Sequence, residues 1–176
     1  MIGLMAAGGL RLGEALGLDR QDVDLKDGAL HVRGKQANQR EVPLHDSTTE
    51  ALRKYARLRD RRWPAANTAA FFVSRLGVRL TVAAVHNTFP RLIRQVGLEG
   101  HGQRARPRPH DLRHTFAVCT LLDWHEADAQ VDRELPLLST YLGHRDPSNT
   151  YWYLQATPQL LALVAQRLDG VLGEQS

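Results

Sequence analysis

Cysteine is nearly missing from this chain: Cys119 is the only one among 176 residues. A single thiol excludes an internal disulfide and any zinc site built from cysteines, and it suits a reducing compartment. Lysine is also rare, standing only at 26, 35 and 54, so arginine carries most of the positive charge. Guanidinium is the better fork for phosphate, although a GC-rich genome gives the same bias. No run of eighteen apolar residues occurs, so no segment reads as membrane-spanning. The opening stretch, MIGLMAAGGLRLGEALGL, lacks the basic lead of a secretory signal and reads as buried helix. It starts with no polar lead-in or cap, as expected of a segment cut from something longer. Internal repeats and low-complexity tracts are absent.

What remains has the composition of a globular domain. Hydrophobic residues make up 43%, an ordinary share, and the length supports one domain with its own core. The net charge is +4 and the pI about 9.6. The basic residues cluster in RKYARLRDRR (Arg53 to Arg62) and RARPRPHDLR (Arg104 to Arg113). Such runs usually form solvated faces, and they also suit a polyanionic partner.

The pattern is mainly helical with a small sheet. Helix is expected to about Leu18, broken at GGLR. DVDL, ALHVRG and REVPL read as three antiparallel strands, with a tight turn at Asp27-Gly28 and Lys35 on the second turn. Ser47 and Glu50 form a capping box for a long helix with Leu52, Tyr55, Ala56 and Leu58 on its apolar face. AAFFVS reads as a short buried strand or extended piece. Thr81 caps a helix containing Pro90. HDLRHTFAVCTLLDW and LPLLSTYLGH are further helices, separated by the polar HEADAQVDRE. The last is an amphipathic helix after Thr157, with Pro158 at its first position.

Chemistry concentrates in four places. Arg11 sits in an apolar stretch before a helix and, taken alone, reads as a snorkelling residue or one paired with Glu14. Lys35 lies on a turn. His110, Arg113 and His114 are expected on one helical face. Two histidines four apart suggest a metal, but an arginine among them and the lack of a His-Glu-x-x-His pattern argue against one. Finally LGHRDPSNTYWYL places His144 nine residues before Tyr153. These groups are cationic and donor-rich, without a carboxylate pair, and suit an anion with several non-bridging oxygens. Phosphoryl transfer needs such stabilisation together with a nucleophile and a proton donor, and tyrosine and lysine can fill those roles.

GLRLGEALGL, VRGKQANQREVPL, HDLRHTFA and LGHRDPSNTYWYL, in that order, resemble the motif blocks of the tyrosine recombinase, or phage integrase, catalytic domain. The resemblance spans Gly9 to Leu154. It implies an α+β, mainly helical DNA breaking–rejoining fold with a small three-stranded antiparallel sheet. It implies that Tyr153 attacks a DNA phosphodiester to form a 3'-phosphotyrosyl link and release a 5'-hydroxyl. Arg11 and Arg113 would clamp the phosphate, His144 would donate to a non-bridging oxygen, His110 would assist proton movement, and Lys35 would protonate the leaving oxygen. No cofactor or metal is implied. The implied partners are double-stranded DNA and further recombinase protomers assembled on it, in the bacterial cytoplasm at the nucleoid. Tyr151, Trp152 and Tyr141 are then packing residues, His114 is structural, and Arg40 is a solvated turn arginine. Residues 1–176 read as one catalytic domain without the helical DNA-clamp domain that usually precedes it. Residues 157–172 form a candidate exchanged helix. The alternatives are a DNA-binding remnant without efficient recombination, and nicking and relaxation as in type IB topoisomerases.

Overall fold

The computed structural model describes residues 1–34, 39–64, 68–98, 106–127, 131–143, 150 and 153. The chain divides into two compact units, 1–113 and 114–176.

In the first unit, helix α1 (Ile2–Gly8) ends where Gly9 adopts the left-handed conformation, φ 60°. That geometry costs glycine little and releases the chain into α2 (Leu12–Gly17). The expected break at GGLR is therefore real. A single 3-10 turn, Arg20–Asp22, leads to strand β1 (Val23–Asp24), followed by β2 (Ala29–Arg33) and β3 (Gln39–Pro43). They form one antiparallel sheet in chain order, with Leu30 opposite Val42 and Val32 opposite Arg40. Leu30, Val32 and Val42 are buried, so alternation turns Arg40 to the core-facing side as well.

Helix α3 (Asp46–Arg62) begins earlier than the Ser47–Glu50 box suggests. His45 is the N-cap, and its ring accepts the Ser47 amide. The apolar face also differs from expectation. Leu58 is 58% exposed while Arg59 is 4% exposed. Arg59 donates to the Phe71 carbonyl at 2.9 Å, pairs with Asp60, and lies 5.1 Å from the Phe71 ring centre. A guanidinium with those partners can occupy a core position that leucine leaves.

AAFFVS forms no continuous strand. Ala70 and Val73 make single bridges to Asp19 and Arg79, while Phe71 and Phe72 are buried against Tyr55. Asp19 ties this region together by pairing with Arg33 and Arg79. In the turn beyond, Gly77 has φ 74°, and a Cβ placed there would lie 2.8 Å from the Trp63 ring. Gly77→Ala should lower unfolding free energy by about 1–3 kcal/mol through left-handed strain and overpacking, measured by urea denaturation. Helix α4 (Val82–Gln95), capped by Thr81 as expected, runs unbroken through Pro90, buries Val85 and Phe89, and packs against α2.

The division between units falls inside helix α5 (Asp111–Glu126). In the second unit α5 continues from His114, and α6 (Val131–Leu142) includes the end of the polar HEADAQVDRE, a segment that reads as linker or short helix. Ala117 and Leu121 of α5 pack with Leu135, Leu138 and Leu142 of α6 and with Tyr153. Tyr141 stacks on Phe116 at 5.5 Å. Among the described residues, no helix is long and apolar enough to cross a membrane.

Candidate active site

The first unit gathers Arg11, Arg40 and Arg113 around the Glu14 carboxylate. Arg11 is the N-cap of α2 and Glu14 is the third helical residue. At that position a carboxylate reaches back to the cap, where the helix dipole also favours negative charge. The Arg11 amide donates to Glu14 Oε2 at 2.8 Å and Arg11 Nη1 donates to Oε1 at 2.9 Å. Arg40 adds a two-pronged bond, Nη1 to Oε1 and Nη2 to Oε2, each 2.9 Å. Arg113 Nη1 lies 4.0 Å from Oε2 and donates to the Gly9 carbonyl at 2.7 Å. The left-handed turn at Gly9 and the start of α5 are thus joined across 104 positions of sequence.

Exposure separates the roles. The Arg11 side chain is 40% exposed, whereas Glu14 is 6% and Arg113 is 1% exposed. Burial alone would push the Glu14 carboxyl up. The Arg40 fork, the Arg11 amide and the two nearby guanidinium charges overcome this and hold it below the usual glutamate value. One carboxylate among three guanidinium groups leaves a positive excess, which is the electrostatic requirement for an anion site.

Glu14→Gln should therefore be costly. Removing one partner of a buried ionic cluster typically destabilises by about 3–5 kcal/mol. The sign of the pH effect follows from the lowered carboxyl. Wild type carries this stabilisation above the unfolded glutamate pKa and loses it as pH falls through the folded value. The variant should lack that acid-side decline, which urea midpoints measured from pH 7 downwards will reveal.

His110 differs from expectation in position. Asp111 closes a turn, its amide donating to the Arg108 carbonyl at 2.9 Å and its carboxylate accepting the Arg108 amide at 2.8 Å. Helix α5 starts only at Asp111, so His110 precedes it rather than sharing a helical face with His114. The residue is exposed. Partial desolvation and then the Arg113 charge place its pKa below the usual histidine value, favouring the neutral imidazole that a proton acceptor requires.

In the second unit, Tyr153 is 6% exposed within the α5–α6 core, and the His114 ring lies 5.1 Å from it. Lys35, His144, Tyr151, Trp152 and residues 157–172 lie outside the described residues. Among the described residues, no group of three or more histidine, cysteine, aspartate or glutamate side chains is placed to hold a metal.

The expected pairing of Arg11 with Glu14 is present, but Glu14 also meets Arg40 and Arg113, which a reading of motifs alone does not give. Arg40 is not a solvated turn residue: its side chain is 14% exposed and bound to Glu14. The signal was the two-residue period of REVPL, which puts Arg40 and Val42 on the same face.

The fold is that of solved tyrosine recombinases. The crystal structure of the XerA recombinase superposes with a TM-score of 0.75 at 25% identity, covering 93% of this chain and 55% of that one. XerH bound to its palindromic difH substrate, in a post-cleavage complex, gives a TM-score of 0.72 at 26% identity over 93% of this chain and 43% of that one. The chain belongs to the phage integrase family, whose model matches residues 1–159. A Sinorhizobium fredii protein named as an integrase/recombinase, y4rB, is 45% identical over 96% of this chain and 54% of its own length. The tyrosine recombinase XerC of Azotobacter vinelandii is 37% identical over 93% of this chain and 50% of its own. The chain thus spans about half the length of these curated relatives.

Proposed function

We propose that this chain supplies the catalytic part of a site-specific DNA recombinase, with both units belonging to one catalytic domain. The Tyr153 oxygen attacks the phosphorus of a DNA phosphodiester. The bond from phosphorus to the 5'-oxygen breaks, the 3'-phosphate becomes esterified to tyrosine, and the departing oxygen takes a proton from Lys35. A 5'-hydroxyl from another strand then attacks the phosphotyrosine, restores the phosphodiester and frees the phenol. The ester keeps the energy of the original bond, so neither step requires a nucleotide cofactor. Arg11 and Arg113 hold the phosphate, His144 donates to a non-bridging oxygen, and neutral His110 receives the phenolic proton.

The observation that carries this reading is the Glu14-centred arginine cluster, which joins the first and third family motifs across 104 residues of chain. Charge developing on phosphate oxygens is stabilised by fixed donors, and guanidinium groups held in place by a shared buried carboxylate have little to reorganise during the reaction. XerH in complex with difH DNA and lambda integrase as a dimer on a core site supply the analogy for duplex DNA and a second protomer as partners. Exchange of residues 157–172 between protomers belongs to the same reading.

The target sequence is found by the same experiment that tests the activity. A pool of duplexes with randomised cores, each nicked beside the cleavage position, releases a short 5'-hydroxyl fragment on attack and traps the enzyme. Adducts that survive denaturant, recovered and sequenced, are the expected result. DNA binding without any adduct from the pool would reduce the chain to a binding module.

A further inference from the structure

Arg40 belongs to no motif position assigned above, yet its geometry is the most constrained of the cluster. It lies on β3, opposite Val32, on the face that also buries Val42. Each of its terminal nitrogens meets a different oxygen of Glu14, both at 2.9 Å. The same two oxygens hold Arg11 by its amide and by its guanidinium. The Nε of Arg40 is buried without a hydrogen-bond partner among the described residues. An orphaned donor is an expense that simple charge neutralisation would not need, because lysine could neutralise Glu14 without it. The planar fork is what arginine adds, and a fork fixes orientation.

We infer that Arg40 is a positioning residue for the phosphate site: it fixes the Glu14 carboxylate, and through that carboxylate Arg11. The strand that follows the segment bearing Lys35 then sets the clamp. Arg40, Glu14 and Arg11 thereby form one hydrogen-bonded unit running from β3 to the N-terminus of α2. This inference rests on the reading of Arg11 as a phosphate ligand given above. The groups facing Glu14 are Arg11 from the start of α2, Arg40 from β3 and Arg113 from the start of α5. Removing Arg40 leaves burial opposed by the Arg11 amide and guanidinium alone. Glu14 then takes up a proton more readily, and protonation weakens its bonds to Arg11.

The test uses Arg40→Gln and Arg40→Lys in the full chain, with two readouts. The first is the backbone amide resonance of Arg11 in the ¹⁵N-labelled protein without DNA. In Arg40→Gln it should shift away from its position in wild type and titrate with Glu14 at a higher pH. In Arg40→Lys, which keeps the charge but not the fork, it should shift without that titration. The second is cleavage of a nicked duplex recovered from the pool. Arg40→Gln should lose about 100-fold in rate, the scale of a misplaced catalytic group, with duplex binding unchanged. The double variant Glu14→Gln/Arg40→Gln should cleave no more slowly than Glu14→Gln, because both changes break the same link. An unmoved Arg11 amide in either folded variant, or losses that simply multiply in the double variant, would overturn the inference. If wild type forms no adduct at all, the recombinase reading fails separately, and the amide readout still decides whether Arg40 sets Arg11.

Discussion

Tyr153→Phe should abolish the denaturant-stable DNA adduct while leaving the fold almost unchanged. The ring is 6% exposed and packs with Ala117 and Leu121 of α5 and Leu135, Leu138 and Leu142 of α6. Phenylalanine keeps that packing, including the approach of the His114 ring at 5.1 Å. The loss is one hydroxyl, worth about 1 kcal/mol of stability. On the proposed mechanism the chemical loss is of another order, because the removed hydroxyl is the group that forms the ester. Removing a nucleophile typically lowers rate by about 10⁴-fold or more. Gel separation of enzyme from nicked duplex after denaturation measures this directly, and a thermal melt confirms that the variant is folded. An adduct that persists in Tyr153→Phe and disappears in Tyr151→Phe would transfer the nucleophile to the other tyrosine. The burial of Tyr153 carries a further consequence. If the hydroxyl is sheltered with the ring, local opening precedes attack, and adduct formation should then be slower than DNA binding and respond to the packing of α6.

Much of this architecture was legible in the residues, and the exceptions share a cause. The hairpin order followed from Asp27-Gly28 and from short alternating runs. The break between α1 and α2 followed from paired glycines. These are local signals, carried by a few adjacent residues. The misreadings involve partners distant in sequence. Leu58 seemed the better core residue than Arg59 because the carbonyl and ring that receive Arg59 belong to Phe71, beyond the helix. Arg40 looked solvated because its partner, Glu14, lies 26 residues earlier. AAFFVS, readable as strand or extended piece, is buried as expected, and its backbone finds only single bridges because its partners, Asp19 and Arg79, lie outside it. His110 was expected on the helix, whereas Asp111 caps the turn and delays the start of α5. For the site, motif order placed Arg11 and Arg113 as candidates. Glu14 was legible as a neighbour of Arg11, but its links to Arg40 and Arg113 depend on chain brought together from 26 and about 100 residues away.

Arg113 should prove the most damaging position in the first unit, because fold and chemistry both depend on it. Its side chain is 1% exposed, and it donates to the Gly9 carbonyl at 2.7 Å, next to the turn that separates α1 from α2. Arg113→Ala leaves a cavity, an unmet carbonyl and one cation fewer beside a buried carboxylate. Losses for comparable buried ionic or large-to-small changes are about 3–5 kcal/mol, which chemical denaturation will measure. Adduct formation should fall by about 10³-fold or more, the effect of withdrawing an arginine from a phosphoryl-transfer site. Arg113→Lys separates the two contributions. The ammonium keeps the charge and one bond to Gly9, so most stability should return. It lacks the planar pair of donors, so cleavage should recover only in small part. A lysine variant that regains stability and cleavage together would assign Arg113 to the scaffold alone. One that regains stability without cleavage would place the guanidinium on the phosphate.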